Sequence, residues 1–188
     1  STQIRNRATI GGNVANAAQC ADTVPALIAL EAEIELMDGK GTFRTLKVDD
    51  FLLGIGRTRL EENEVITGFY LPAARLRTAG GYAKIGSREK VTIAKLNGAM
   101  SCNVSENRIT QVRVALGSLG ARAYHAKTLS ERLEGCPVDQ LLTEEILQWF
   151  VAEVDRAIPG RASQPYKRNA VKAVAFSMLE QTIFGSGR

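Results

Sequence analysis

Histidine is nearly missing from this chain. His125 is the single one in 188 residues, which excludes a metal centre built on several imidazoles and leaves any serine–histidine–acid triad with one possible base and nothing else to support it. Cysteine is almost as scarce. Cys20, Cys102 and Cys136 lie far apart with no Cys-x-x-Cys, so neither a zinc site nor an iron–sulfur cluster can be assembled from local ligands. An odd, sparse count fits free thiols in a reducing compartment, and a cytoplasmic location is expected. No block of Lys and Arg occurs; the formal charge of +4 is spread among acids. Nucleic-acid binding therefore gains little support. A mildly basic surface suits an anionic cofactor or an acidic partner. No apolar run approaches the ~18 residues of a membrane span. Neither G-x-G-x-x-G nor G-x-x-x-x-G-K-[ST] is present.

What the chain does have lies near its start. Ile4-Arg5-Asn6-Arg7-Ala8-Thr9-Ile10-Gly11-Gly12-Asn13 is followed by Asp22. Thr9, two adjacent glycines and Asn13 occupy turn-forming positions. Glycines let a backbone approach a ligand closely, because no Cβ intervenes. Backbone N–H groups freed in such a turn converge into an anion-binding concavity. Two readings follow: a phosphate cradle, or a tight turn between two strands.

The remaining patterning is α+β, with strands first and helices later. A helix is predicted after Asp22 or Thr23 as cap, with Pro25 in its first turn. Strands are predicted around Glu33–Leu36, Thr42–Leu46 and Glu64–Leu71, with a hairpin turn at Asp38-Gly39-Lys40-Gly41. A boundary falls between Ala73 and Ala79. Beyond it come strands from Gly80, over roughly 91–104, and over 109–117, an antiparallel meander. Apolar residues then recur at helical spacing: Leu147, Phe150, Val151 and Val154, then Ala170, Val171, Val174, Ala175, Met178 and Leu179.

The string Ile-Arg-Asn-x-Ala-Thr-Ile-Gly-Gly-Asn, with the Asp22-x-x-Pro25-Ala26-Leu27 run, resembles the FAD-binding subunit of molybdenum hydroxylases, the xanthine dehydrogenase and carbon monoxide dehydrogenase medium-chain family. Two later stretches extend the resemblance over nearly the whole chain. They are Tyr82-Ala83-Lys84 through Arg88 to Ile93-Ala94, and Arg161-Ala162-Ser163 with Tyr166-Lys167-Arg168. The resemblance implies the C-terminal part of a PCMH-type FAD-binding domain over 1–76. It implies a CO dehydrogenase flavoprotein C-terminal-like domain, a three-stranded antiparallel sheet with helices, over 77–188.

It also implies roles. Thr9, Ile10, Gly11, Gly12 and Asn13 would hold FAD. Asp22 would touch the cofactor or, on the plainer reading, cap its helix. Ile66 would lie against the flavin or be an ordinary core residue. Lys84 would stabilise negative charge on the flavin ring or be a solvated strand lysine. Electrons would pass from iron–sulfur clusters through FAD to NAD⁺ or another acceptor. Molybdenum and the clusters would belong to an iron–sulfur subunit and a large molybdenum subunit.

Two departures stand out. Many relatives have Ser-Pro before the acid, where this chain has Ala18-Gln19-Cys20-Ala21; without the proline the turn aiming Asp22 is expected to be looser. And the chain opens at Ser1 almost on the motif, without the family's preceding Ala-Gly-Gly-Thr loop. A fragment that retains FAD weakly is expected, and the rival reading is a flavin-free docking module.

Overall fold

The computed structural model describes residues 2–88 and 92–185. The first half contains three short helices, α1 (Thr2–Arg5), α2 (Ile10–Ala15) and α3 (Thr23–Ala29). A meander with a short interruption follows: β1 (Glu33–Asp38), β2 (Phe43–Lys47), α4 (Val48–Phe51), β3 (Leu52–Gly54), β4 (Arg57–Thr58) and β5 (Glu64–Tyr70). Strands β2, β1 and β5 pair in that order, antiparallel throughout. In β1 the side chains alternate: Ile34 and Leu36 are fully buried. Glu35 on the other face accepts from the Tyr70 hydroxyl at 2.6 Å and that of Thr67 at 2.7 Å. The β1–β2 turn closes because Asp38 Oδ1 accepts from the backbone N–H groups of Lys40 and Thr42, both at 2.8 Å, and Gly41 takes a φ of +81° that glycine adopts without strain.

The second half is a four-stranded antiparallel sheet of β6 (Ala79–Ile85), β7 (Leu96–Ser105), β8 (Arg108–Gly117) and β9 (Tyr124–His125). The three expected strands form its body, and the two-residue β9 adds an edge. The strand expected from 91 starts five residues later; Val91 lies outside the described residues and Thr92–Lys95 carry no ladder pairing. Helices α5 (Lys127–Leu133), α6 (Glu144–Ala157) and α7 (Gln164–Gly185) follow.

Strand β7 is buried on both faces, and its period of two sorts the layers. Leu96, Met100 and Cys102 pack with α5, α6 and α7 in one core. Ala99, with its cross-strand partner Ala115, faces α3 in the other core. Small side chains there let α3 lie close to the sheet. Ser101 Oγ, on the same face, donates to Ala29 O at 2.6 Å and ties down the end of α3. The sheet of the second half is thus the floor on which α3 rests, and that contact builds the site.

Candidate functional site

The turn expected at Thr9–Asn13 is a helix start. Thr9 is the N-cap of α2, in extended conformation, and its Oγ1 accepts from Gly12 N at 2.9 Å. The hydroxyl satisfies one of the first-turn donors in the usual capping manner. The N–H groups of Ile10 and Gly11 have no intrahelical acceptor by helix geometry. Both glycines therefore sit in the opening turn, and each has a neighbour where a side chain would go. A Cβ on Gly12 would come 3.1 Å from Thr9 Oγ1, while one on Gly11 would make ordinary contact with Ile66 Cγ2 at 3.6 Å. Asn13 reaches across to α3, its Oδ1 accepting from the Thr23 hydroxyl at 2.5 Å. Its amide NH₂ donates to none of the described residues.

Asp22 precedes α3 but does not cap it with its side chain. The carboxylate turns to β6. Lys84 Nζ lies 2.5 Å from Oδ2, and the Tyr82 hydroxyl donates to Oδ1 at 3.3 Å. Tyr82 and Lys84 are two residues apart on a strand, so both point at the face that carries α3. Lys84 is not a solvated strand lysine; its side chain is 26% exposed. Burial, and then the charge of Asp22, push the Tyr82 phenol well above its ordinary value, so it remains a donor.

Ile10, Asp22, Thr23, Ala26, Leu27, Leu30, Tyr82 and Lys84 enclose a groove of about 490 Å³. One wall is aliphatic; a cation, a carboxylate and hydroxyls gather at the other. Ile10, half exposed in the first turn of α2, extends the aliphatic wall. Ile66 is not in that groove. It is half-buried on the core face of β5, opposite Leu36, and backs Gly11 from beneath. Seven of the eight expected residues thus gather around α2, the start of α3 and β6, and the eighth supports them.

Sequence reasoning missed Asn97. It is fully buried in β7, directly across from Lys84, and donates to Ala21 O at 3.1 Å. Its signal was a polar side chain within the apolar run Leu96–Met100. His125 behaves as a structural residue. Its Nε2 lies 3.1 Å from Ser130 Oγ, but that hydroxyl is buried and donates to Ala126 O at 3.0 Å. Burial first, then the charge of Arg113, lowers the His125 pKa. No helix among the described residues is long and apolar enough to cross a membrane.

The groove joins an aliphatic wall to an ammonium, a carboxylate and hydroxyls, and the free first-turn N–H groups of α2 lie beside it. Comparison with known proteins names the family that carries it. The family described as "FAD binding domain in molybdopterin dehydrogenase" matches residues 1–74, and "CO dehydrogenase flavoprotein C-terminal domain" matches 82–182. The nicotinate dehydrogenase FAD-subunit of Eubacterium barkeri is 30% identical over 178 residues, covering 93% of this chain and 60% of that protein. The carbon monoxide dehydrogenase medium chain of Hydrogenophaga pseudoflava is 33% identical over 156 residues, with coverages of 83% and 51%. A solved carbon monoxide dehydrogenase from that organism, lacking the Mo-pyranopterin moiety, superposes over 97% of this chain and 63% of its own with a TM-score of 0.83 at 28% identity. The chain thus spans between 51% and 63% of the length of these relatives. By both its halves it belongs to the family of FAD-binding subunits of molybdenum hydroxylases, as an oxidoreductase subunit or a piece of one.

Proposed function

We propose that this chain holds FAD in the groove between α2, α3 and β6, within a molybdenum hydroxylase whose iron–sulfur and molybdenum centres lie on partner subunits in the cytoplasm. When bound, FAD supplies a carrier that collects electrons from the clusters and delivers them in pairs to NAD⁺ or another acceptor. Residues 1–76 form the FAD-binding part and 77–188 the flavoprotein C-terminal part, with Lys84 carried from the second part into the site of the first.

The observation that carries this reading is the convergence of Ile10, Asp22 and Lys84 on one groove at the mouth of α2. The free N–H groups of Ile10 and Gly11, the Thr9 hydroxyl and the Asn13 amide offer donors to phosphate or ribityl oxygens, while Gly12, its own N–H given to Thr9, keeps the turn open to the ligand. Lys84 would offer a positive charge to a flavin held in the groove and would stabilise negative charge on it. Asp22 holds that ammonium in place. Ala26, Leu27 and Leu30 exclude water, which strengthens each polar contact inside. Ile66 keeps α2 at its height over the sheet.

Titration of the intact protein with FAD, read by flavin fluorescence, tests this. Gly12→Val is expected to abolish binding, because its methyls enter the space between the α2 backbone and the Thr9 hydroxyl. Lys84→Met is expected to weaken it at least about tenfold, the loss of one charge-assisted contact. Gly11→Ala, with ordinary contact to Ile66, is expected to bind within about threefold of the parent, under 1 kcal/mol. Parental affinity in both Gly12→Val and Lys84→Met would overturn the assignment.

A further inference from the structure

We propose that Asn97 is the positioning residue of this site. It sets the Asp22 carboxylate against Lys84, and through that pair it governs flavin affinity and flavin potential without touching the flavin. The proposal rests on the reading of the groove as the FAD site.

Lys84, Asn97 and Gly117 form one row across β6, β7 and β8. Asn97 is the fully buried middle member. Its Nδ2 donates to Ala21 O at 3.1 Å and lies 3.5 Å from Asp22 Oδ1. One amide thereby grips the carbonyl just before Asp22 and the near oxygen of the carboxylate itself. The other end of the amide explains why it cannot turn. Asn97 Oδ1 is buried with no hydrogen-bond donor among the described residues. It lies against Gly117, where a Cβ would run into it and would also meet Asn97 Cγ at 3.2 Å and Pro25 Cγ at 3.1 Å. Only a Cα–H fits there, a weak partner for the oxygen. Rotating the amide would set its oxygen against Ala21 O and its NH₂ against carbon.

A second brace works two residues back. Ser118 N donates to Gln19 O at 2.8 Å, and Ser118 Oγ donates to Ala94 O at 3.0 Å. Ser118 holds a φ of +59° to do so, and Lys167 Nζ donates to its carbonyl. Alternate carbonyls of the 18–22 turn are thus held from the sheet. These bonds brace from outside a turn that lacks the proline of many relatives. The side chain of Asp22 is 47% exposed. A carboxylate that open samples several rotamers unless its partners choose one; Tyr82 and Lys84 hold it from β6, and Asn97 holds it from beneath together with the carbonyl before it.

The test is a double-mutant cycle of Asn97 with Asp22 in the intact protein, read by FAD affinity and by the flavin midpoint potential. Asn97→Leu is expected to weaken FAD about tenfold and to move the potential in the same direction as Asp22→Ala. In the Asp22→Ala background it is expected to change affinity less than about twofold. Asn97→Ser, which adds no bulk and cannot reach Asp22, is expected to behave alike, so a poorly folding leucine variant leaves the question answerable. A full, additive loss in the Asp22→Ala background, or an unmoved potential in both Asn97 variants, would overturn the positioning role. Parental affinity and potential in Asp22→Ala itself would instead sink the groove as the flavin site, and this role with it.

Discussion

Glu31→Gln is expected to lower the unfolding free energy by about 2 kcal/mol, less than the ~3 to 5 kcal/mol of a fully buried ion pair because the Glu31 side chain is 25% exposed. Glu31 sits just past α3 at a φ of +55°. Its carboxylate receives Arg75 at 2.7 Å and Arg113 at 3.1 Å, with Lys47 at 3.9 Å. The two arginine side chains are only 10% and 15% exposed. Arg75 also donates to Gln111 O at 2.7 Å, so the cluster fastens α3 to β8. Glutamine keeps the shape and removes the charge, leaving the buried Arg75 and the half-buried Arg113 without their counter-ion. Arg113 Nε already lacks a partner among the described residues, which makes further loss there costly. Urea unfolding checks this, with Glu35→Gln, on the solvent face of β1, as a control expected to leave the midpoint close to the parent's. Equal midpoints for the two variants would refute the claim.

The same cluster fixes the sign of a pH effect. Burial alone raises the Glu31 pKa. The Arg75 hydrogen bond and the charges of Arg113, Arg75 and Lys47 outweigh it and hold the carboxyl below its ordinary 4.5. A depressed folded-state value means stability present above the unfolded pKa and lost as pH falls through the folded one. Stability should therefore decline below about pH 4.5, and less steeply in Glu31→Gln. Glu64, held down to about 2 by Arg44 and the Glu61 N–H, adds to the same limb in both proteins, so the difference between them reports Glu31.

How much of this was readable beforehand depends on range. Local signals worked: alternation gave β1 and β5, the Asp-Gly-Lys-Gly turn gave the hairpin, and helical spacing gave α6 and α7. The Thr9–Asn13 stretch was misread as a turn because Gly-Gly is a poor helix sequence in isolation. Here Thr9 caps it and Ile66 backs it from β5, so tertiary context overrides propensity. Arg75 lies in the stretch expected to be a boundary between halves, yet it is a buried bond between them. Asp22 could not be separated from a side-chain helix cap, since the residue type and place are the same; its carboxylate leaves the cap unmade and turns to Lys84, more than 60 residues downstream. Long-range partners of that kind leave little local trace.

Gly81 leads to the last expected result. Gly81→Ala should cost about 3 to 5 kcal/mol, beyond ordinary overpacking, because the collision is between backbones. A Cβ there would lie 2.8 Å from both the Cα and the carbonyl carbon of Met178 in α7, and closer still to the carbonyl oxygen. A side chain could swing aside. The α7 backbone cannot, because Val174, Ala175, Met178 and Leu179 are buried on the sheet around the contact. The strain has one direction in which to relax, the separation of α7 from β6. Gln181 opposes that movement: its Nε2 donates to Tyr82 O at 3.0 Å and its Oε1 accepts from Tyr82 N at 3.1 Å, closing the free edge of β6. Breaking this clamp frees the strand that carries Tyr82 and Lys84, so FAD affinity should fall along with stability. Gly54→Ala, with open space around its Cβ, is the control and should leave both unchanged. Thermal unfolding and FAD titration of the two variants decide the matter. A Gly81→Ala protein as stable as the parent would show that α7 can shift without cost, and the tight β6–α7 approach would then have no part in holding the site.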